Sequence, residues 1–270
     1  MPEFTCSKCG QRVQGDVCAK CSEAASDEQE NEAEPGSGCG WASYLIVGLV
    51  LLTAIGLIVP AFSKVREAAA RAQTINNMKQ IAMACHAYHD FNKRLASPAH
   101  VERKDGIEFE VQLSWRVSIY PYVESSPLYS QFDRSVGWDH PNNVRFQSLL
   151  MPVYESPYRD PTELAGLTRF QYFIGPETLF PENVPVKLGD IKDGTSQTFL
   201  FAEAEQPVIW TRPADMGVRV DQPLPLPADS FCAAMADGTV RFFERDTTSD
   251  VILRQLIHPN DGKPAADWDH

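Results

Sequence analysis

The sequence predicts an α+β protein in which a long N-terminal helix packs against a mainly antiparallel β-sheet. Three observations support this prediction. An uncharged apolar run covers residues 41–62, a helix-forming segment follows it to about Asn92, and the remainder consists of short β-prone runs separated by turn residues. The sequence lacks the strand–helix–strand repeats that would indicate a parallel sheet. We therefore expect one long helix laid across a sheet built from hairpins.

Residues 41–62, WASYLIVGLVLLTAIGLIVPAF, form a run without any charged residue. About 20 apolar residues in a helix suffice to cross the hydrocarbon core of a bilayer. A buried core helix is the alternative, but core helices rarely stay apolar on every face over this length. We therefore predict a transmembrane helix over residues 41–62, with the lipid bilayer as a partner. The run is too long, and the segment before it too acidic, for a simple secretory signal, so we expect a permanent anchor.

Residues 63–92 continue with Ala, Arg, Glu, Gln and Met, which favour helix. Apolar residues recur at helical spacing along one face, namely Ile75, Met78, Ile81, Ala82, Cys85 and Tyr88. Such a stripe must be buried against another element. We therefore expect the helix to continue from the membrane span to about Asn92 and to pack on the domain that follows it.

Three residues near the end of this helix, Cys85, His86 and His89, suggest a metal site. His86 and His89 are three residues apart and can share a helix face. Two histidines with no third ligand nearby make a poor site, however, and Cys85 lies on the apolar stripe. Packing and surface hydrogen bonds are the simpler interpretation.

Two CxxC pairs lie within the first 22 residues, Cys6 with Cys9 and Cys18 with Cys21. Four thiolates at this spacing match the tetrahedral coordination of zinc. Two disulfides or a redox CxxC are the alternatives, but a redox motif normally lies within a βαβ pattern, which this arm lacks. We predict a zinc ribbon over residues 1–22 with Zn²⁺ as cofactor. The zinc would be structural, because four cysteine ligands leave no open coordination position.

Residues 23–40 are acidic and contain no aromatic or large aliphatic residue, which predicts a flexible linker. The whole chain has 36 acidic and 24 basic residues, for a net charge of −12. Binding to a phosphate backbone needs a basic excess, so this balance argues against nucleic acid as a partner.

After residue 92 the pattern changes to short β-prone runs. Asp193-Gly194 and Asp237-Gly238 are turn dipeptides, and the second lies between two of these runs, which is a strong hairpin signal. Residues 249–258 have helical spacing and predict a C-terminal helix, while 127–132 and 144–150 predict short helical turns. The predicted strands are residues 111–123, 169–175, 197–204, 230–236 and 239–245.

The sequence contains no GxSxG turn, no HExxH and no glycine-rich phosphate loop, so we predict that the protein is not an enzyme. Two weaker sets of residues remain. Asp190, Asp193, Glu203 and Asp237 could converge on a cation, although Asp-Gly is first of all a turn signal. Aromatic residues could line a carbohydrate or peptide groove, although such residues on short strands usually fill a core. These aromatic residues are Trp115, Tyr120, Tyr122, Trp138 and Trp210.

Several longer stretches, in this order, carry a family likeness: REAAARAQTINNMKQIAMACHAYHD (66–90), SWRVSIYPYVESSPLYSQFD (114–133), WDHPNN (138–143), MPVYESP (151–157), DIKDGTSQTFLFAE (190–203), WTRPADM (210–216) and ADGTVRFF (236–243). From about Leu51 to Lys263 the chain resembles the bacterial family called domain of unknown function 1559, whose members are pilin-like, membrane-anchored proteins. The resemblance implies a pilin-like α+β domain over residues 63–270, similar to that of type II secretion pseudopilins.

The chain departs from the family pattern at three places. Leu45 stands where such proteins carry the glutamate that is expected to pair with a neighbouring subunit's N-terminus. Pro227 stands where the family has a histidine nine residues before Asp-Gly. Glu155-Ser156-Pro157 lacks the cysteine that often precedes this proline, so any disulfide made there is absent. We expect no leader processing of the usual kind.

The orientation of the predicted span is open to two interpretations. Lys64, Arg66, Arg71 and Lys79 follow the span, which favours a cytoplasmic C-terminal domain under the positive-inside rule. Two observations favour the opposite orientation, with the C-terminal domain outside the cytoplasm. The family resemblance implies it, and a four-thiolate zinc site suits the reducing cytoplasm, which would hold the N-terminal arm. We expect an inner (cytoplasmic) membrane protein with a cytoplasmic N-terminus and a periplasmic C-terminal domain.

These interpretations combine into a functional expectation. The chain is expected to be a non-catalytic, pseudopilin-like structural or interaction protein of the bacterial envelope, with pilin-like or secretion-system subunits as partners. The zinc ribbon would dock a cytoplasmic protein. The alternative is an extracytoplasmic ligand-binding or hydrolytic domain that uses the acidic turns or the aromatic groove.

Overall fold

A computed structural model of the chain describes residues 3–5, 12–14, 41–104, 107–123, 128–158, 164–181 and 184–263. The chain divides into two compact units, residues 1–63 and residues 64–270. The first unit contains an antiparallel pair of short strands, β1 (Glu3–Thr5) and β2 (Arg12–Gln14), and the beginning of helix α1 (Trp41–Asn92).

The prediction of a membrane-spanning helix at residues 41–62 is wrong. Among the described residues, no helix combines the length and the apolar character that are needed to cross a membrane. A span needs about 20 apolar residues in one run. The predicted orientation across a membrane depended on this span, and it stays an untested prediction.

The second unit is α+β, as predicted. After α1 its elements are β3 (Ala99–Lys104), β4 (Ile107–Ser114), α2 (Trp115–Val123), β5 (Leu167–Gln171), β6 (Phe173–Ile174), β7 (Phe199–Ile209), β8 (Met216–Gly217), β9 (Ser230–Met235), β10 (Val240–Glu244) and α3 (Asp250–Ile257). The central sheet has the order β10-β9-β7-β5 and is antiparallel throughout. Strands β3 and β4 form a separate hairpin, and β6 pairs with β8 in parallel.

Both faces of the central sheet are covered. All six residues of β9 are buried, and the five that follow Ser230 alternate between two cores. Cys232 and Ala234 belong to the core that also contains the apolar stripe of α1, while Phe231 and Ala233 belong to the core that contains α3. Covering on both sides explains why β9 is a continuous apolar run without alternating polar residues.

The predicted apolar stripe of α1 is confirmed within the second unit. Met78, Ile81, Ala82 and Cys85 are fully buried in the core shared with the sheet. The helix ends at Asn92, as predicted, and the next residue, Lys93, has a φ of 59°. This left-handed conformation is a common way to end a helix.

Four of the five predicted strands lie close to observed ones, but the prediction for residues 111–123 is wrong beyond Ser114. There β4 ends and α2 begins, with Pro121 inside the helix. The β-branched and aromatic residues of this segment favour strand locally. The helix forms because it buries its first six residues, Trp115 to Tyr120, against the rest of the unit. Hairpin β3–β4 as a whole was not predicted.

The turn and helix signals near the C-terminus are confirmed. Asp237-Gly238 forms the β9–β10 turn, where Gly238 has a φ of 89° and donates its N–H to the Met235 carbonyl oxygen at 3.0 Å. Helix α3 begins after Ser249, whose hydroxyl oxygen accepts a hydrogen bond from the Ile252 N–H. This is a standard N-terminal cap.

Candidate functional site

Hydrogen bonds within the protein engage each of the four carboxylates that could have converged on a cation. Asp193 accepts hydrogen bonds from the N–H groups of Asp261 and Gly262. Asp237 accepts from the N–H and the hydroxyl of Thr239, and Asp190 accepts from the Lys187 N–H. The three aspartates therefore stabilise turns.

Glu203 differs from the three aspartates because it is completely buried on β7. Its carboxylate accepts hydrogen bonds from the Ser156 hydroxyl and from the Cys232 N–H, the latter at 2.6 Å. The hydrogen bond from Ser156 links the 151–157 segment to the sheet. Glu203 thus connects two segments inside the core.

The predicted metal ligands fall into two groups. Cys6, Cys9, Cys18 and Cys21 lie outside the described residues, so the zinc ribbon stays a prediction. Among the described residues, no group of three or more His, Cys, Asp or Glu side chains is placed to hold a metal ion. His86 and His89 are half-buried on α1, and His89 Nε2 accepts a hydrogen bond from the Leu188 N–H at 3.4 Å.

The aromatic residues do not form one groove. Trp115, Tyr120 and Trp210 are buried in the core, where Trp210 packs against Tyr120 with 6.0 Å between ring centroids. Trp138 lies beside Arg212, whose guanidinium carbon is 5.4 Å from a Trp138 ring centroid. Tyr122 packs edge-on against Tyr88 at 5.9 Å. Three of the five rings are therefore buried in the core, and Tyr122 and Trp138 are partly buried and pack against it.

A buried polar network joins two of the family-like stretches, 114–133 and 210–216. Arg116 and Asp215 have no exposed side-chain surface and form an ion pair. Asp215 Oδ1 also accepts hydrogen bonds from Trp115 Nε1 at 3.0 Å and from the Tyr172 N–H at 2.9 Å. The Arg116 guanidinium donates further to the Phe170 carbonyl oxygen. The network fixes α2, β5 and the segment before β8 relative to one another.

Burial controls the ionisation of this network. Desolvation raises the pKa of Asp215, opposed by the neighbouring Arg116 guanidinium, and desolvation lowers the pKa of Arg116, opposed by the Asp215 carboxylate. Desolvation also raises the pKa of the Cys85 thiol to about 12, while its contact with the Tyr172 hydroxyl at 3.7 Å acts in the opposite direction. Such a thiol is protonated and unreactive near neutral pH.

The second unit contains an open cleft of about 740 Å³, which we call the tyrosine cleft. It lies at the end of α1 and is bounded by β3, α2 and the loops around residues 129–134 and 185–187. The described side chains that line it combine aromatic rings, cations and neutral polar groups. They are Tyr88, Phe91, Asn92, Lys93, Arg94, His100, Val101, Ser118, Pro121, Tyr122, Tyr129, Arg134, Pro185 and Lys187.

Hydrogen bonds hold the walls of the tyrosine cleft. The Leu95 N–H donates to the Val186 carbonyl oxygen at 2.7 Å, which joins the end of α1 to the 185–187 loop. His100 Nδ1 lies 2.7 Å from the Ser118 hydroxyl oxygen, which joins β3 to α2. Arg134 Nη1 donates to the Tyr129 hydroxyl oxygen at 3.2 Å. The first two of these bonds join separate chain segments, so the cleft is formed by the tertiary structure.

Tyr88 is the central ring of the cleft. Burial raises the pKa of its hydroxyl, and the Arg94 guanidinium, which hydrogen-bonds to it, acts in the opposite direction. The hydroxyl groups of Tyr129 and Tyr122 are close enough to raise the pKa of Tyr88 further. Sequence reasoning singled out Tyr122 but missed Tyr88, Tyr129 and the cations, because these residues come together only in the folded chain.

A second notable surface lies on the first part of α1, in the N-terminal unit. Eight apolar side chains there are each more than half exposed: Trp41, Tyr44, Leu45, Ile46, Val47, Leu49, Val50 and Leu52. We call this set the α1 apolar surface. Contiguous exposed apolar surface on this scale marks a site of interaction.

Comparison with known proteins identifies one family. Residues 63–179 match the family described as "Protein of unknown function (DUF1559)". The match supports the family resemblance over this part of the chain. The later stretches at 190–203, 210–216 and 236–243 lie beyond it. No curated protein and no solved structure was found to match the chain.

Proposed function

We propose that this chain is a non-catalytic, pseudopilin-like interaction protein of the bacterial envelope that assembles with neighbouring subunits through the first part of α1. The exposure of the α1 apolar surface carries this proposal. Burying apolar surface stabilises association by roughly 25 cal/mol per Å² before the costs of ordering are subtracted.

The distribution of the α1 apolar surface favours more than one neighbour. Four consecutive residues, Tyr44 to Val47, are exposed, and consecutive residues of a helix are about 100° apart. Together they surround most of the helix circumference. A single partner helix covers only one stripe. We therefore propose a bundle of such helices, formed with other copies of this chain or with similar subunits.

The non-catalytic part of the proposal rests on how the second unit uses its acidic residues. Asp190, Asp193 and Asp237 stabilise turns, and Glu203 is buried in a structural hydrogen-bond network. Among the described residues, no three of these carboxylates are placed together to hold a metal ion. The hydrolytic alternative based on acidic turns therefore has no support from their positions.

Analytical ultracentrifugation of the full chain tests the assembly. We expect concentration-dependent oligomers for the unsubstituted chain and a clear shift toward monomer for the double variant Ile46→Glu/Leu49→Glu, because charged side chains resist burial in a helix bundle. The matched control is Gln73→Glu/Gln80→Glu, which adds the same charge at exposed positions of α1 in the second unit.

Circular dichroism establishes that each variant keeps its helix content. The control double variant should form oligomers like the unsubstituted chain. An unsubstituted chain that stays monomeric at every concentration would contradict assembly through this surface. A double variant at Ile46 and Leu49 that assembles normally while retaining its helix would contradict it as well.

The envelope location is proposed from the family resemblance alone. A reporter that is active only outside the cytoplasm, fused after the C-terminus, should be active in a bacterial host. A fusion that is well expressed but inactive would place the second unit in the cytoplasm, and the proposed location would then be wrong.

A further inference from the structure

We propose that the tyrosine cleft is a binding site for a small organic anion that carries at least two phosphate or carboxylate groups next to a ring. This site is independent of the proposed assembly through α1. Its chemistry follows from three properties of the cleft: the charge of its lining, the arrangement of its rings and its dimensions.

The charge of the cleft is opposite to that of the whole chain. Four permanent cations line it, Lys93, Arg94, Arg134 and Lys187, and no Asp or Glu appears among its described lining residues. The chain as a whole carries −12. Two of the cations are arginines, whose guanidinium groups suit phosphate and carboxylate.

The cations reach the cleft from three parts of the chain. Lys93 and Arg94 follow the end of α1, Arg134 lies in the loop after residue 128, and Lys187 lies in the 185–187 loop. The Lys93 N–H donates to the His89 carbonyl oxygen at 2.7 Å, so the chain reversal that presents Lys93 is fixed. A ligand would meet cations on more than one side, and this arrangement favours at least two anionic groups.

The rings of the cleft provide a platform beside these cations. Tyr88 and Tyr122 pack edge to face, with centroids 5.9 Å apart, and the guanidinium carbon of Arg134 lies 5.1 Å from the Tyr129 centroid. Phe91 is 78 % exposed at the margin. Exposed aromatic rings stack against planar or sugar rings. The ligand is therefore expected to carry a ring in addition to its anionic groups.

The dimensions fit a small molecule. A volume of about 740 Å³ lies within the range of roughly 300–1,000 Å³ that is usual for small-molecule sites. Ser118, His100 and Asn92 add neutral hydrogen-bonding groups to the lining. A nucleic acid would need a longer basic surface than this single cleft offers.

Calorimetric titration of the full chain with three probes at constant ionic strength tests the site. The probes are inorganic phosphate, phenyl phosphate and citrate. Phenyl phosphate should bind more tightly than inorganic phosphate if the tyrosine platform contributes. Citrate carries three carboxylates and no ring, so it should bind more tightly than inorganic phosphate if several cations of the cleft contact one ligand.

Two charge-removing variants and one matched control locate the binding. Lys187→Gln and Arg134→Gln should each weaken binding of the best probe by about tenfold or more, since a hydrogen bond to a charged group contributes about 1.5–3 kcal/mol. Lys192→Gln, five residues from Lys187 and outside the cleft lining, should bind like the unsubstituted chain. Thermal unfolding of each variant shows whether it is folded.

Binding of the probes to the unsubstituted chain and to its variants decides whether the cleft is the site. Saturable binding that both cleft variants weaken and Lys192→Gln preserves supports the site. No saturable binding of any probe at millimolar concentration overturns it. Binding that the folded cleft variants leave unchanged also overturns it, because the anion then binds elsewhere. Tighter binding of inorganic phosphate than of phenyl phosphate would overturn the ring-bearing part of the proposal.

Discussion

Arg116 and Asp215, which are 99 residues apart in the chain, form an ion pair with no solvent exposure, in which Arg116 Nη2 lies 3.0 Å from Asp215 Oδ1. Trp115 and Tyr172 donate to the same carboxylate oxygen, and their rings stack with centroids 4.0 Å apart. The pair therefore belongs to a packed polar network. Because a buried charge is costly without its partner, the network is sensitive to the loss of either member.

Removing one member of this pair should destabilise the protein strongly. Asp215→Ala leaves the Arg116 guanidinium buried without a counter-charge, and we expect the free energy of unfolding to fall by about 3–5 kcal/mol. Denaturant unfolding followed by tryptophan fluorescence measures the change. The matched comparison is Asp250→Asn, which breaks the Arg245–Asp250 pair at 2.6 Å on the surface and should cost about 0–1 kcal/mol. Equal losses would show that the buried pair has no special role.

Asn143 organises the loop between residues 133 and 143. Its side-chain nitrogen donates to the carbonyl oxygens of Asp133, Val136 and Gly137, and its side-chain oxygen accepts from the Asp133 N–H at 3.0 Å. Asn143→Ala removes all four contacts from a fully buried position. We expect a loss of about 2–3 kcal/mol in the free energy of unfolding.

The neighbouring residue provides the control for this prediction. Asn142 is exposed and makes one side-chain hydrogen bond, to Asp133 Oδ2 at 2.8 Å. Asn142→Ala should change stability by only about 0.5 kcal/mol. A loss for Asn143→Ala as small as that for Asn142→Ala would mean that the loop keeps its conformation without these hydrogen bonds.

The Cys85 thiol should resist alkylation in the folded protein. With its pKa raised to about 12 by burial, only about 0.1 % of it is thiolate at pH 9. In the unfolded chain its pKa returns to the ordinary value of about 9.0, and about half of the thiol is thiolate at the same pH. Iodoacetamide labelling with peptide mass mapping measures the modification of Cys85 itself. Rapid labelling in the absence of denaturant would contradict the burial of this thiol.

The same shift has a consequence for stability. Between about pH 9 and pH 12 the unfolded thiol has lost its proton while the folded thiol keeps it, so the unfolded state binds fewer protons. The Cys85 contribution to stability is therefore fully present below pH 9 and declines as the pH rises through this window. Cys85→Ala should show a smaller decline than the unsubstituted chain over the same range.

The zinc ribbon remains a proposal that rests on the spacing of Cys6, Cys9, Cys18 and Cys21. We expect the purified chain to contain one zinc ion and the Cys6→Ser/Cys18→Ser variant to contain almost none, as measured by atomic absorption. Cys39→Ser is the control, since Cys39 lies outside the motif. If the ribbon docks a cytoplasmic protein, that protein should co-purify with the unsubstituted chain and with Cys39→Ser, but not with the zinc-free variant. Unchanged zinc content in the double variant would contradict the ligand assignment.

Local patterns identified several elements correctly because each depends on residues close together in sequence. The apolar stripe of α1 follows helical spacing, the β9–β10 turn follows Asp237-Gly238, and α3 follows the apolar spacing of residues 249–258. In each case a backbone preference and the tertiary packing favour the same conformation. The family resemblance was likewise visible in the sequence, and residues 63–179 support it.

Other features depended on partners that are distant in sequence. Residues Trp115 to Val123 have strand-like composition, yet they form α2, because helical packing buries Trp115 and places Arg116 beside Asp215. The predicted membrane span is the clearest error. Among the described residues, no helix is both long enough and apolar enough to cross a membrane. Apolar composition alone did not determine what that helix contacts.

The sequence by itself determined the α+β class, the antiparallel pairing around Asp237-Gly238 and the buried face of α1, because these follow from local spacing and turn chemistry. Only the tertiary structure decided the partners. It paired Arg116 with Asp215, engaged the acidic turn residues in hydrogen bonds within the protein, and gathered Lys93, Arg134 and Lys187 around the tyrosine cleft. These residues are brought together by packing between segments that are distant in the chain. Their spacing in the sequence does not indicate which of them will meet.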